Sequence, residues 1–489
     1  MTQYIGITIG PIVDTMMLTS TPAGLWAASY LFSELSKRIC KRLPEGSILT
    51  PYYEDVTKGV GLFPDRIILK QGDLTPKGLQ DFFDAAIDEV AELLCMPGQD
   101  VGRMQSYLRE YIQVHAVAFE TDKNPIGYSN SFLAAAELEH SFAGIEKNTL
   151  LRQFEWREDE RKSKNKAIKE SKLVEKILGD LWPLWDKKNP EYIRDLAGIA
   201  SDDRATYVEE KQEYIFDKAL LKKHRYYAVI QADGDNIGKH ICKEGLSPED
   251  ISKFSKKCWN YSQEAAKKVG DFGGVPIYVG GDDLLAIVPV ENAQEQNVFW
   301  LLQQLRGAFE KEFGKGADAP TLSFGVSIQY YKFPLYESFN QAYRLLKGIK
   351  YNVLGKNAIA LRLQKHSGQS VELVINGGQS ILLTEVTRQI DALPRTKEDC
   401  EKANLLLHSV MTHLHTQRSV FSAALERLAL RSTFQNVFHE AYTKQANAIE
   451  AARKLLALCR GEKKPLETMD QLLRLQKFFV ELGEEENHG

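Results

Sequence analysis

The sequence predicts an α+β chain with two ferredoxin-like β-α-β-β-α-β units and helical middle and C-terminal segments. Three patterns predict it. Apolar strand-like runs and helix-period stretches alternate in the order β-α-β-β-α-β between residues 226 and 363. A weaker succession of the same kind fills the first 140 residues. From about residue 380 the periodic stretches all have helical spacing. A chain of 489 residues exceeds one compact core, so several domains are expected. The boundaries read as 1–140 for a first unit, 141–218 for a helical and charged middle, 219–370 for a second unit and 371–489 for a helical end.

In chain order, Tyr4 to Gly10 alternates and ends in Gly-Pro, a strand and turn. Leu25, Trp26, Ser29, Leu31, Phe32 and Leu35 follow a helical period. Ile67 to Leu69 reads as a strand, Leu79 to Leu94 as an amphipathic helix and Val114 to Phe119 as a strand. The mixed-charge run Arg157 to Lys172 reads as a solvated helical face or linker. Tyr226 to Gln231 is an apolar strand and residues 249–268 a helix. Val275 to Val279 and Leu284 to Val288 are strands flanking a four-residue turn. Residues 293–312 read as helix and Leu322 to Gln329 as strand. Ala342, Leu345, Leu346 and Ile349 mark one helix face, and Ala358 to Leu363 a last strand. This succession is the topology of a nucleotidyl-transfer palm. Leu472, Leu475, Phe479 and Leu482 stripe a helix near the end.

Composition narrows the function classes. There are 62 basic and 66 acidic residues, a formal net charge of -4. A balanced chain lacks the global charge of a protein that wraps nucleic acid alone. Six cysteines are scattered without zinc or redox spacing, which fits a reducing compartment. The start has no signal-like core and no apolar run is long enough to span a bilayer, so a cytoplasmic location is expected.

Two acidic segments carry the chemistry. Asp233-Gly234-Asp235 closes one apolar strand, and Gly280-Gly281-Asp282-Asp283 forms a hairpin turn about fifty residues on. Each alone is an ordinary turn sequence. In the palm topology their strands are central neighbours, so Asp233 and Asp282 converge at one sheet edge. Converging carboxylates repel and need neutralising. Mg²⁺ (or Mn²⁺) with oxygen ligands and phosphates does this, and a metal pair activates a ribose hydroxyl and stabilises leaving pyrophosphate. Small Gly234 and Gly281 leave room for a triphosphate. Lys347, Lys350 and Lys356 are candidate phosphate partners; any one of them is equally well a solvated surface lysine. His408, His413 and His415 lack carboxylate or cysteine partners at ligand spacing and read as core or surface residues.

At this point a resemblance becomes specific. Ala232 to Lys239 (Ala-Asp-Gly-Asp-Asn-Ile-Gly-Lys) and Gly280 to Asp283 resemble the palm of the large subunit of type III CRISPR effector complexes. Phe333-Pro334-Leu335-Tyr336 and Lys365-His366-Ser367-Gly368-Gln369 are similar to its Cmr branch. Ile9-Gly10-Pro11, Leu25 to Leu31 and Phe63-Pro64-Asp65-Arg66 are similar to that branch's first domain. The resemblance covers about residues 5–370. It implies a degenerate first palm, a catalytic second palm, and ATP between them. It implies synthesis of cyclic oligoadenylates inside a complex with guide RNA and Cmr-type subunits, switched on by target RNA. By similarity to diguanylate cyclases, the principal metal acids are Asp233 and Asp282, with the Gly234 carbonyl beside them and Lys350 as the phosphate-binding lysine; Asp283 is added to the expected metal set. Asp233, Asp282 and Asp283 are then catalytic, and Gly234, Asn236, Gly238, Gly280, Gly281 and Lys350 bind nucleotide. The chain contains no His-Asp dipeptide and no cysteine-rich zinc spacing, so neither the DNA nuclease nor the zinc element of many members is expected. Two alternatives stay open: a stand-alone cyclic nucleotide synthase in antiphage signalling, and a scaffold subunit with little activity.

Overall fold

The structure is a computed structural model that describes residues 2–54, 62–95, 99–137, 150, 185–186, 189–193, 195–208, 213–216, 221–316, 318–352, 356–376, 380–439 and 445–481. Leu482 and the charged run 157–172 lie outside the described residues.

The first unit contains β1 (Thr2–Gly10), α1 (Ile12–Met16), α2 (Pro22–Arg42), β2 (Ile48–Thr50) and β3 (Arg66–Lys70). It continues through α3 (Pro76–Leu94), α4 (Val101–Tyr111), β4 (Gln113–Thr121) and α5 (Pro125–Ala136). Helix starts are set locally. Thr21, Thr75 and Asn124 each precede a proline and accept hydrogen bonds from backbone amides of the first turn. The strands pair in the order β2-β3-β1-β4, antiparallel throughout. That is the split β-α-β arrangement the sequence predicts.

The described part of the middle segment adds two short hairpins to the helix expected there. They are β5 (Trp185–Asp186) with β6 (Asn189–Ile193), and β7 (Ala205–Val208) with β8 (Glu213–Phe216). Helix α6 (Leu196–Ser201) lies between them. Ala-Thr-Tyr-Val and Glu-Tyr-Ile-Phe are rich in β-branched and aromatic residues, which fit a pleated strand better than a helix.

The second unit is built on β9 (Tyr226–Asp235), β10 (Val275–Gly280), β11 (Asp283–Pro289), β12 (Thr321–Tyr330), β13 (Ala358–Gln364) and β14 (Ser370–Asn376). Its helices are α7 (Ile237–Ile241), α8 (Pro248–Asp271), α9 (Val298–Phe313) and α10 (Leu335–Asn352). The sheet runs β10-β11-β9-β12-β13-β14. Its first four strands repeat the split arrangement; β13 joins β12 in parallel, and β14 returns antiparallel. Strand β14 is absent from the sequence reading, although its exposed and buried residues alternate as an edge strand's should. The Lys365 to Gln369 segment is the turn between β13 and β14.

The C-terminal helices are α11 (Ser380–Asp391), α12 (Lys397–Thr416), α13 (Arg418–Glu426), α14 (Leu430–Val437), α15 (Ala446–Leu458) and α16 (Pro465–Val480). Leu472, Leu475 and Phe479 are buried, as the stripe predicts. Helix α16 docks on the second sheet. The Phe478 ring meets Tyr226 edge-on at 4.9 Å, and Lys365 Nζ lies 2.5 Å from Glu481 Oε1. Among the described residues, no helix is long and apolar enough to cross a membrane.

A buried charge cluster ties these parts together. Glu291, just past β11, accepts from Lys223 Nζ at 2.8 Å and lies 3.2 Å from His224 Nε2. Arg395 of the C-terminal helices approaches Glu291 Oε1 at 3.6 Å, and Arg204 of the middle segment donates to the Glu291 carbonyl at 3.0 Å. Burial pushes His224 down to about 4, against the opposing bond to Glu291. Burial alone would raise the Glu291 carboxyl, but His224 and Lys223 outweigh it and hold it at about 2.

Two outcomes follow from this cluster. Glu291→Ala strands buried Lys223 and is expected to cost about 3–5 kcal/mol in denaturant unfolding. The unfolded chain also takes up a proton on His224 near its ordinary 6.5, whereas the folded chain resists until about 4. Stability therefore falls as pH drops through that window. His224→Gln is expected to flatten the fall in unfolding temperature between pH 6.5 and about 4.

Candidate active site

Strand β9 lies at the centre of its sheet, between β11 and β12. Its register puts Ala232 opposite Leu284 on one side and Asp233 opposite Ser323 on the other. Strands β10 and β11 close at Gly280 opposite Asp283, so the Gly281-Asp282 turn overhangs the end of β9. Gly281 has φ +71, a conformation that glycine adopts without strain.

The approach is close. A Cβ on Gly234 would lie 2.6 Å from Asp282 Oδ2, 2.9 Å from Asp282 Cβ and 2.5 Å from Ile237 Cγ1. Only a glycine lets the two strand ends meet. Asp233 and Asp282 are half-buried at this edge, and Asp283 is exposed. The structure thus brings the two acidic segments together, as the topology predicts.

The neighbouring acid does something else. Asp235 is fully buried, and its Oδ2 accepts from Thr321 Oγ1 at 2.9 Å, Ser323 Oγ at 2.7 Å and the Asn357 amide at 2.8 Å. It fastens the start of β12 and the loop after α10 to the end of β9. That loop carries Lys356, at φ +54. Lys350 lies within α10; its side chain is outside the described residues. Lys347 sits with its Nζ over the Tyr343 ring, 4.4 Å from the centroid. Asn236 takes a left-handed conformation at φ +62 and starts α7. Gly238 is exposed in open space one residue into that helix.

Sequence reasoning missed the floor of the site. Ser262 on α8 shares its hydroxyl proton between the Cys258 carbonyl at 2.9 Å and the Gly281 carbonyl at 3.2 Å, and so ties the turn to the helix below it. Tyr278 folds its ring over the Cα of Gly280, where a Cβ would collide with it. Burial pushes the Tyr278 phenol well up, and Asp65, Asp283 and Asp282 add to the shift. Burial likewise raises Tyr261 and Cys258, with Asp282 contributing to both. The groups beneath the turn therefore stay protonated and neutral. Asp65 belongs to the Phe63-Pro64-Asp65-Arg66 segment of the first unit. That segment reaches the second unit directly, with the Phe63 ring edge-on to Trp259 at 5.5 Å. The helical period of α8 is the one sequence signal for Ser262; its hydrogen bond is not encoded in any spacing.

The donor set is made of hard oxygens, which suits Mg²⁺ or Mn²⁺. Among the described residues, no group of three or more His, Cys, Asp and Glu side chains is arranged to hold a metal ion. Mg²⁺ commonly takes one or two carboxylates and completes its shell with water and substrate phosphates. The close contact at Gly234 keeps the space beside Asp282 free of a side chain. His413 packs against Phe438 at 5.0 Å and bonds the Ser409 carbonyl, in line with a core role.

Comparison with known proteins gives the relationship. Residues 226–360 match the family model described as Cas10/Cmr2, second palm domain. The CRISPR system Cmr subunit Cmr2 of Pyrococcus furiosus is 32% identical over 192 residues, which covers 33% of this chain and 22% of that relative. The chain thus spans about a fifth of the length of the curated relative it matches. Among solved structures, a Csm1-Csm4 cassette in complex with cA3 is similar at 14% identity, with 97% of this chain and 69% of that one covered and a TM-score of 0.50. The apo type III-B Cmr-beta complex matches at 13% identity, with 83% and 75% covered and a TM-score of 0.49. Residues 226–360 are thus similar to the second palm domain of the Cas10/Cmr2 family.

Proposed function

We propose that this chain is the large subunit of a type III CRISPR complex and that its second palm joins ATP into cyclic oligoadenylates. The observation that carries the reading is the contact of the Gly280 to Asp283 turn with Gly234, beside Asp233, in a domain of this family. The first unit, with the same strand order, acts as a degenerate palm facing it. The Pyrococcus furiosus relative is named a Cmr subunit, which supports Cmr-type partner subunits, guide RNA and target RNA as the setting. The fold match to a cassette in complex with cA3 supports the product class.

The roles follow from position. Asp233, the Gly234 carbonyl, Asp282 and Asp283 hold the metal. Mg²⁺, when bound, neutralises the carboxylates and the triphosphate and polarises the phosphoryl oxygens. Gly280 and Gly281 let the turn approach the phosphates, and Ser262 fixes the turn's height. Asn236 and Gly238 border the nucleotide, and Lys350 offers charge to its outer phosphates. Asp235 keeps the Lys356 loop in register with the strand end. The neutral wall of Tyr261, Cys258 and Tyr278 places no positive charge beneath the carboxylates, and cations approach them from the open side.

The test is product formation from ATP with Mg²⁺ or Mn²⁺, by the lone chain and by the chain assembled with Cmr-type subunits, guide RNA and target RNA. Cyclic adenylates from the assembly alone support the proposal. Equal activity of the lone chain points instead to a stand-alone synthase, and no product under either condition to a scaffold. Asp282→Ala with Asp283→Ala is expected to lower product by more than the roughly 10–100-fold of an outer-shell change. Gly234→Ala is expected to displace Asp282, lower product comparably and cost about 1–3 kcal/mol of stability. A Gly234→Ala chain with wild-type turnover would show that this contact does not set the site.

A further inference from the structure

We propose that Asn124 of the first unit is a positioning residue for the palm carboxylates and acts on them through helix α7. The inference rests on the nucleotidyl-transfer reading and adds how the first unit controls that site.

Asn124 is buried and uses both ends of its amide. Its Oδ1 accepts from the Ile126 amide at 3.0 Å and the Gly127 amide at 3.4 Å, which caps α5. Its Nδ2 donates to the Ile241 carbonyl at 2.7 Å and the Lys243 carbonyl at 3.1 Å. Two amides need an acceptor and two carbonyls need a donor, so the orientation of the side-chain amide is fixed. The carbonyls lie at and just past the C-terminal end of α7, where a helix leaves acceptors unpaired. One side chain therefore joins the start of a first-unit helix to the end of a second-unit helix.

Packing reinforces the junction. A Cβ on Gly127 would lie 3.2 Å from the Cys242 Cβ. Ile126 is buried in a cluster with Tyr4, Leu49 and Ile251, against which Ile241 and Cys242 pack. The other end of α7 touches the site. Ile237, its first residue, meets Gly234, and Gly234 meets Asp282. A helix of five residues spans about 7 Å and moves as a unit. A shift of Asn124 relative to the palm is thus delivered to the gap between Gly234 and Asp282. The placement of the first unit sets the spacing of the carboxylates.

Two variants separate this latch from the α5 cap. Asn124→Asp keeps the capping acceptor and loses the donor; Asn124→Ser caps α5 but is too short to reach Ile241. The experiment uses the full chain, alone and in the assembled complex. Both variants are expected to unfold cooperatively, with the unfolding temperature lowered by only a few degrees. Hydrogen exchange over residues 236–246 is expected to accelerate about tenfold, from loss of the latch bonds. Mn²⁺ affinity in the presence of ATP and kcat are expected to fall roughly tenfold or more, with KM for ATP changed less. Unchanged exchange in both variants overturns the latch. Faster exchange with wild-type Mn²⁺ affinity and kcat overturns the positioning role and leaves a purely structural contact. A wild-type chain that binds Mn²⁺ but makes no adenylate product overturns the function proposed above, while exchange and Mn²⁺ affinity still decide this one.

Discussion

The approach of Asp282 to the Cα of Gly234 constrains everything around it. Two strand ends come within van der Waals distance and carry carboxylates, so no side chain can occupy residue 234. The same contact forces Asp282 to share a sheet edge with Asp233. Placing like charges together is unfavourable unless a cation or hydrogen-bond donors offset it. Asp235, one pleat further along the strand, is satisfied by three donors and is buried. Asp233 and Asp282 stay half-buried at the mouth, above neutral phenol and thiol groups. One short segment thus supplies both a buried, hydrogen-bonded carboxylate and a half-buried one at the sheet edge.

The first unit is part of the site's support. Its Phe63 ring reaches Trp259, Thr50 and Tyr52 meet Ser255 at 3.2 Å and 2.6 Å, and Asn124 grips the end of α7. These contacts fall on α8 and α7, the two helices that flank the carboxylate edge. Glu291 holds the opposite end of the same sheet, where it joins the middle segment and the C-terminal helices. The palm is therefore anchored at both strand ends, by hydrogen bonds and packing on one side and by buried charge on the other.

What could be read in advance depends on the range of the interaction. The meeting of the Asp233 to Asp235 strand end with the Gly280 to Asp283 turn was legible because strand period and element order specify which strand ends are neighbours. Strand β14 was not legible. Its alternation is short, and only pairing with β13 distinguishes it from the loop before the C-terminal helices. The difference in burial between Asp233 and Asp235 was hidden too, since they sit two residues apart on an apolar strand. Thr321 and Ser323 decide it, and they arrive from a strand almost ninety residues later.

By itself, the sequence determined the two split β-α-β units, the helical C-terminal domain and the meeting of two acidic segments. Those follow from periodicity, turn residues and chain order, which are local properties. Only the tertiary structure decided how closely Gly234 and Asp282 meet, which acid is buried, that Ser262 and Tyr278 lie against the turn, and that Asn124 holds the far end of α7. Those depend on contacts between residues far apart in the chain, whose partners no local pattern names. The acidic hairpin is written in the sequence; the glycine contact, the floor and the latch that give it its geometry are products of the fold.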